Sequence, residues 1–184
     1  MKLLLIRHGQ PDYTEVGERG FVGHGRDLAK LSPLGISQAE AVSKDERLKD
    51  ADVILSSPYT RALQTAAIIS KNTGISIAVE TDLIEWMPDL TFAYAGPEHF
   101  GEIEREIQRC RGERDDTCKY CWESYSSLGQ RAFLTVKKYL EYDKVIVVTH
   151  GMLMRQFVYQ DEVPCCSVME YELRPDSRWN GFVK

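Results

Sequence analysis

The run Lys144–Thr149 places four apolar residues, three of them valines, at consecutive positions. Such a strand has no polar face to give to solvent. It must be covered on both sides, which is the condition of an inner strand in a parallel sheet. Lys2–Ile6 and Ala51–Ser56 have the same character, Ser76–Glu80 is shorter, and Val168–Leu173 alternates and reads as a half-exposed strand. Helical patterns lie between them. Ser32 caps a helix with Pro33 in its first turn, running to about Leu48. Pro58 opens a second, with Ala62, Ala66 and Ile69 at helical spacing and a stop near Gly74. Three more are expected from Gly96-Pro97 to about Arg111, from Glu123 to Glu141, and from Gly151 to Gln160. Strands covered on both faces and alternating with helices predict an α/β sandwich around a mostly parallel sheet.

The 184 residues suit a single domain spanning 1–184. A net charge of −5 speaks against a nucleic-acid partner, because such domains usually carry a basic face. The opening MKLLLI is a short apolar run followed at once by Arg7-His8, unlike a signal peptide, and no stretch approaches the ~18 apolar residues of a membrane span. The expected setting is soluble and cytoplasmic, without a membrane partner. Five cysteines, Cys110, Cys118, Cys121, Cys165 and Cys166, are expected as reduced thiols. Cys118 and Cys121 form a lone CxxC. A structural zinc site takes about four ligands and no second pair completes one, so no metal is expected.

In open α/β sheets ligands sit beyond the carboxyl ends of the strands. That rule selects Arg7-His8-Gly9-Gln10 after the first strand, Ser56-Ser57-Pro58 with Arg61 after the second, Glu85 after the third, and Thr149-His150-Gly151 after the fourth. Arginine offers a planar fork of donors matched to phosphate oxygens. Glycine lets backbone approach a ligand. A neutral imidazole can attack phosphorus, and a nearby carboxylic acid can protonate the leaving oxygen.

Taken together, Arg7-His8-Gly9, Ser57-Pro58-Tyr59-Thr60-Arg61-Ala62-Leu63-Gln64-Thr65-Ala66, His150-Gly151 and the helix start Leu31-Ser32-Pro33-Leu34-Gly35 resemble the histidine phosphatase superfamily, also called phosphoglycerate mutase-like. The likeness runs from Met1 to about Phe157. It implies a three-layer α/β/α sandwich, a small phosphorylated substrate, and neither metal nor organic cofactor. It implies that His8 is the nucleophile and becomes phosphorylated. Arg7, Arg61 and His150 would complete the phosphate pocket, with Gly9, Gln10 and Gly151 beside the substrate. Glu85 matches the proton donor, with Glu80, Asp82 and Asp89 as neighbouring alternatives.

The chain departs from mutase-like members in the outer pocket. Trp86-Met87-Pro88 follows the glutamate in place of a glycine-containing run, Thr14 stands where many members have asparagine, and Val22 precedes Gly23 where a small hydroxyl residue is usual. These departures favour a phosphatase over a mutase, with phosphoryl exchange or a low-turnover binding protein as the alternatives. Gln10, Thr14, His24 and Arg26 lie in the loop after the first strand and are candidates for substrate contact, with a plain surface position the alternative for His24. An inserted segment at about 86–127, containing Trp86, Tyr94, His99 and Phe100, is expected to act as a lid. Other phosphatase chemistries lack their motifs. No cysteine has an arginine six positions on, Asp50-Ala51-Asp52 opens a strand instead of following one, and there is no P-loop. The sequence leaves the substrate and the oligomeric state open.

Overall fold

The computed structural model describes residues 1–93 and 97–181. Its central sheet joins β1 (Lys2–Arg7), β4 (Val53–Ser56), β5 (Ile77–Val79), β6 (Lys144–Thr149) and β7 (Val168–Glu172) in the order β5-β4-β6-β1-β7. β6 lies between β1 and β4 and runs parallel to both, and β5 is parallel to β4; β7 alone is antiparallel, along the outer edge of β1. A separate two-stranded ribbon pairs β2 (Pro11–Asp12) with β3 (Lys30–Leu31).

Alternation along the inner strands builds the layers. Leu3, Leu5, Val53, Leu55, Val145 and Val147 pack with Leu128, Ala132, Phe133 and Val136 of α5 (Tyr125–Lys137). Leu4, Ile6, Ile54, Ile146 and Val148 turn to the opposite face. There they meet Val42 of α2 (Pro33–Val42) and Ala62, Ala66 and Ile69 of α3 (Thr60–Thr73). The sheet is therefore buried on both faces between helices, the three-layer arrangement expected. Each fully covered Leu, Ile or Val contributes roughly 1.5–3 kcal/mol of transfer free energy.

The helix caps follow local chemistry. The Ser32 hydroxyl accepts the Gly35 N–H at 3.0 Å to start α2. Gly74 ends α3 with φ of 77°, a left-handed conformation that glycine adopts without strain. Three expected helices are shorter than their patterns. α2 stops at Val42 because Ser43 to Asp45 turn away and Asp45 caps a separate 3-10 turn, Glu46–Leu48. α5 begins after Ser124, whose hydroxyl accepts the Ser127 N–H, and ends at Lys137. The last, α6, covers only Gly151–Met154 before breaking into turns. α4 occupies Pro97–Arg109; Tyr94 and Gly96 lie outside the described residues. Between β1 and α2 the chain also forms α1 (Thr14–Glu18) and a 3-10 turn, Gly23–Leu28.

Segment 86–127 is built on its own small core. Ile103 and Ile107 of α4 close on Trp122, flanked by Trp86 and Tyr125. Met87 to Leu90 runs beside Cys121 to Glu123, with the Leu90 N–H on the Cys121 carbonyl at 2.7 Å and the Glu123 N–H on the Met87 carbonyl at 2.9 Å. Among the described residues no helix is long and apolar enough to cross a membrane.

Candidate active site

The strand order brings the chemistry together. The His8 N–H continues the β1–β6 ladder by bonding the Thr149 carbonyl at 2.9 Å, and the Ser57 N–H bonds the Val148 carbonyl at 3.0 Å. His8, Ser57 and His150 thus leave the sheet side by side at one carboxyl edge. The rings of His8 and His150 are 5.1 Å apart, edge to face.

His8 is 4% exposed, and two contacts agree on its tautomer. Nδ1 lies 2.8 Å from the Gly9 carbonyl oxygen, which can only accept, so Nδ1 carries the proton. The Arg61 Nε–H then donates to the Nε2 lone pair at 3.2 Å. Burial, opposed in part by the Gly9 bond and reinforced by Arg61 and Arg7, holds the His8 pKa down at about 3. The ring is therefore neutral through most of the acid range. His150 is fully buried and is likewise pushed well below the ordinary histidine range, by burial and then by Arg61 and His8. Its Nε2 lies 2.8 Å from the Ser57 hydroxyl. Its Nδ1 is buried without a hydrogen-bond partner, as is Nε of Arg7, whose Nη1 is fixed on the Val163 carbonyl. A Cβ added to Gly151 would stand 3.7 Å from Arg7 Nε, so this glycine borders the same space.

Arg61 sits in the first turn of α3, 5% exposed, and a second residue holds it. Its Nη1 donates to Asp27 Oδ1 at 3.0 Å. Asp27 also faces the Tyr59 hydroxyl, whose proton is retained to unusually high pH, mainly through burial and then through that carboxylate. His24 Nδ1 is 3.6 Å from the other Asp27 oxygen, while its Nε2 meets the Asp89 carbonyl at 2.9 Å and its ring packs on Phe92. His24 therefore bridges the loop after β1 and segment 86–127.

Glycines bring the loop after β1 onto α2. A Cβ on Gly9 would lie 2.5 Å from the Gly35 carbonyl oxygen, and a Cβ on Gly35 would lie 2.2 Å from that of Gln10. The Gly9 N–H bonds the Thr65 hydroxyl at 3.0 Å. Gln10 has its side-chain oxygen on the Ser32 hydroxyl at 2.8 Å, directed to the helix start.

Glu85 is half-buried as a residue, but its carboxyl group lies deep. Oε1 accepts the Trp86 N–H at 2.9 Å and Oε2 the Met152 N–H at 3.3 Å. Burial raises its pKa above the ordinary carboxylate range, against the opposing pull of those N–H groups and of Arg61 and Arg7. Of the alternatives, Glu80 is engaged by Lys138 and Tyr139 at 2.8 and 2.7 Å, and one Asp89 oxygen holds the Thr91 N–H and hydroxyl.

Two contributors escape a reading of the sequence. Asp27 is one, an ordinary acid in a loop. The other is Arg131 of α5, which donates to the carbonyls of Asp82, Ile84 and Glu85 at 2.5, 2.9 and 3.0 Å. It also grips both oxygens of buried Glu123 at 2.6 and 3.0 Å. The turn presenting Glu85 is thus tied to a helix far along the chain. The available signal was a charge at Arg131 directly beside Ala132 and three residues after Leu128, both on the buried face of the helix.

A model of the histidine phosphatase superfamily (branch 1) matches residues 3–161. The chain belongs to that superfamily. Among relatives of this histidine phosphatase is a protein of Hydrogenobacter thermophilus, provisionally named phosphoserine phosphatase 2. It is 28% identical over 163 residues, covering 85% of this chain and 76% of the relative. Glucosyl-3-phosphoglycerate phosphatase of Mycobacterium tuberculosis is 37% identical over 84 residues, 46% of this chain and 36% of that protein. A native structure of the mycobacterial glucosyl-3-phosphoglycerate phosphatase superposes with a TM-score of 0.63 at 26% identity, covering 84% of this chain and 76% of the other. A vanadate complex of that enzyme matches in fold with a TM-score of 0.68 at 23% identity, covering 92% and 90%.

Proposed function

We propose that this histidine phosphatase hydrolyses a phosphomonoester of a small metabolite through a phosphohistidine on His8. One observation carries the reading. A neutral His8, its Nε2 held by the Arg61 guanidinium, stands beside two buried nitrogens that lack hydrogen-bond partners, Arg7 Nε and His150 Nδ1. Buried donors without partners are costly, and an anion would satisfy both. With the Ser57 hydroxyl donating to His150 Nε2, the proton of that neutral ring sits on Nδ1 and points at the substrate.

A phosphate oxygen that accepts from Arg61 Nε takes this donor away from His8 and frees the Nε2 lone pair. Nε2 attacks phosphorus in line, the phosphorus–oxygen ester bond breaks, and Glu85 gives its proton to the leaving alkoxide oxygen. The dianion offsets the positive charge of Arg7 and Arg61 that otherwise favours ionised Glu85, so binding itself promotes the acid form. In the second half the Glu85 carboxylate removes a proton from water, which attacks phosphorus and breaks the bond to Nε2. Inorganic phosphate leaves and the starting protonation is restored. Segment 86–127, tied to the loop after β1 through His24, serves as the lid.

His8→Ala is expected to abolish hydrolysis of an aryl phosphate while the protein remains folded. Quenched turnover should trap an acid-labile phosphoryl group on the wild-type protein. Retained activity in the variant, or an acid-stable label, overturns the assignment. Phosphoserine and glucosyl-3-phosphoglycerate, the substrates in the relatives' names, open the substrate panel; isomer in place of free phosphate would mark a mutase.

A further inference from the structure

The cysteines near α4 are not used by this chemistry. We propose that Cys110 and Cys118 are a reversible dithiol–disulfide pair, oxidised by exchange with a low-molecular-weight disulfide. Their sulfurs are 3.2 Å apart, and both residues are half-buried, so a small reagent can reach them. A disulfide bond is about 2.05 Å long, so closure needs an approach of about 1.1 Å. Cys121, the other cysteine of the CxxC, does not belong to the cluster; Cys118 groups with Cys110 and Asp115. Two thiolates bound at about 2.3 Å on a tetrahedral zinc ion stand about 3.8 Å apart. The observed contact is closer, and favours a bond between the sulfurs over a shared metal.

Asp115 engages Cys118 through both backbone and side chain, its Oδ1 lying 3.7 Å from the sulfur. The Asp115 N–H donates to Cys118 Sγ at 3.4 Å, and Asp115 is itself fixed by the Thr117 N–H and hydroxyl at 2.8 and 2.6 Å. Burial pushes the Cys110 thiol up to about 11, so it reacts second. The Cys118 thiolate attacks one sulfur of the small disulfide, forming a mixed disulfide and releasing one thiolate. Cys110 then loses its proton and attacks Cys118 Sγ, expelling the second thiolate. Two protein thiols are oxidised and one small disulfide is reduced to two thiols. The new bond staples the residue after α4 to the turn that leads into Cys121–Glu123, the segment paired with Met87–Leu90.

The test incubates the full chain with oxidised glutathione, alkylates the remaining thiols and digests with trypsin without reductant. Arg111 and Arg114 lie between the two cysteines, so cleavage there separates them unless they are bridged. The expected result is loss of two of the five thiols, with a mass decrease of about 2 Da. A joined Cys110–Cys118 peptide should form and separate on adding dithiothreitol. Cys121→Ser should leave this unchanged, and Cys110→Ser should trap glutathione on Cys118. A Cys118–Cys121 bridge, glutathione persisting on the wild-type chain, five unreacted thiols, or bound zinc shielding both sulfurs would each overturn the proposal. These readouts do not use phosphatase activity, so they stand or fall apart from the function proposed above.

Discussion

Replacing Arg131 by methionine tests how the proposed acid is held. The Arg131 side chain is 14% exposed and that of its partner Glu123 is 2% exposed. Methionine keeps the apolar stem but strands the Glu123 charge in the interior and releases the carbonyls of Asp82, Ile84 and Glu85. Removing one member of a buried ion pair costs about 3–5 kcal/mol. The freed carbonyls add little where water can replace the guanidinium. At roughly 2–4 °C per kcal/mol for a chain of this size, the melting midpoint should fall by on the order of 10 °C. The charge left behind accounts for most of that loss, so Glu123→Gln should restore part of it in the Arg131→Met background. Glutamine still offers an acceptor for the Met87 N–H that Glu123 Oε2 holds at 3.2 Å. Thermal melts of the four proteins of this double-mutant cycle supply the comparison. Below its midpoint, Arg131→Met should lose kcat with little change in KM, because Arg7 and Arg61 are untouched. A midpoint within about 2 °C of wild type, or a Glu123→Gln change that destabilises both backgrounds equally, refutes the reasoning.

Glu85→Gln should lower aryl phosphate turnover by roughly 10²–10⁴. The folded state holds the Glu85 proton above the pH at which the unfolded chain releases it, so this group reduces stability as pH rises past the ordinary carboxylate range. The variant's stability relative to wild type should therefore increase from acid to neutral pH in thermal melts; a pH-independent difference contradicts the buried carboxyl. Gly35→Ala places a Cβ 2.2 Å from the Gln10 carbonyl, with backbone on both sides of the clash. It should cost about 1–3 kcal/mol or more and reduce kcat by shifting the loop behind His8; wild-type melting and turnover would show that the two segments separate freely.

The sheet was legible because inner strands are apolar on both faces, and Lys2–Ile6, Ala51–Ser56 and Lys144–Thr149 have no alternative place to lie. The Ser32-Pro33 helix start and the Gly74 stop were legible for equally local reasons, a hydroxyl cap and a left-handed residue. Helix lengths were less so. The pattern beyond Val42 stays compatible with a helix, and a competing cap at Asp45 ends it. The β2–β3 ribbon, two residues on each side, is too short for any periodicity. At the site, the sheet-edge rule brought Arg7, His8, Arg61, Glu85 and His150 to the same edge, where the structure also places them. It could not show that Gln10 turns toward Ser32, nor that Asp27 and Arg131 reach in from other elements. Those contacts depend on how loops and helices pack, and nothing in the neighbouring residues encodes them.

The position of β6 also governs when the site can exist during folding. Among the described residues β1 pairs only with β6 and β7, and β4 only with β5 and β6. Until residues 144–149 insert, no ladder fixes the first strand relative to the second, and His8 and Arg61 have no common frame. Contacts between segments so distant in sequence form slowly, because loop closure must precede them. On a ribosome the amino-terminal half would emerge with His8 not yet aligned with the rest of the site. The proposed pocket would then take shape with the closing of the sheet, and a chain cut short before β6 would keep Arg7-His8-Gly9 and Arg61 but have neither His150 nor the frame that aligns them.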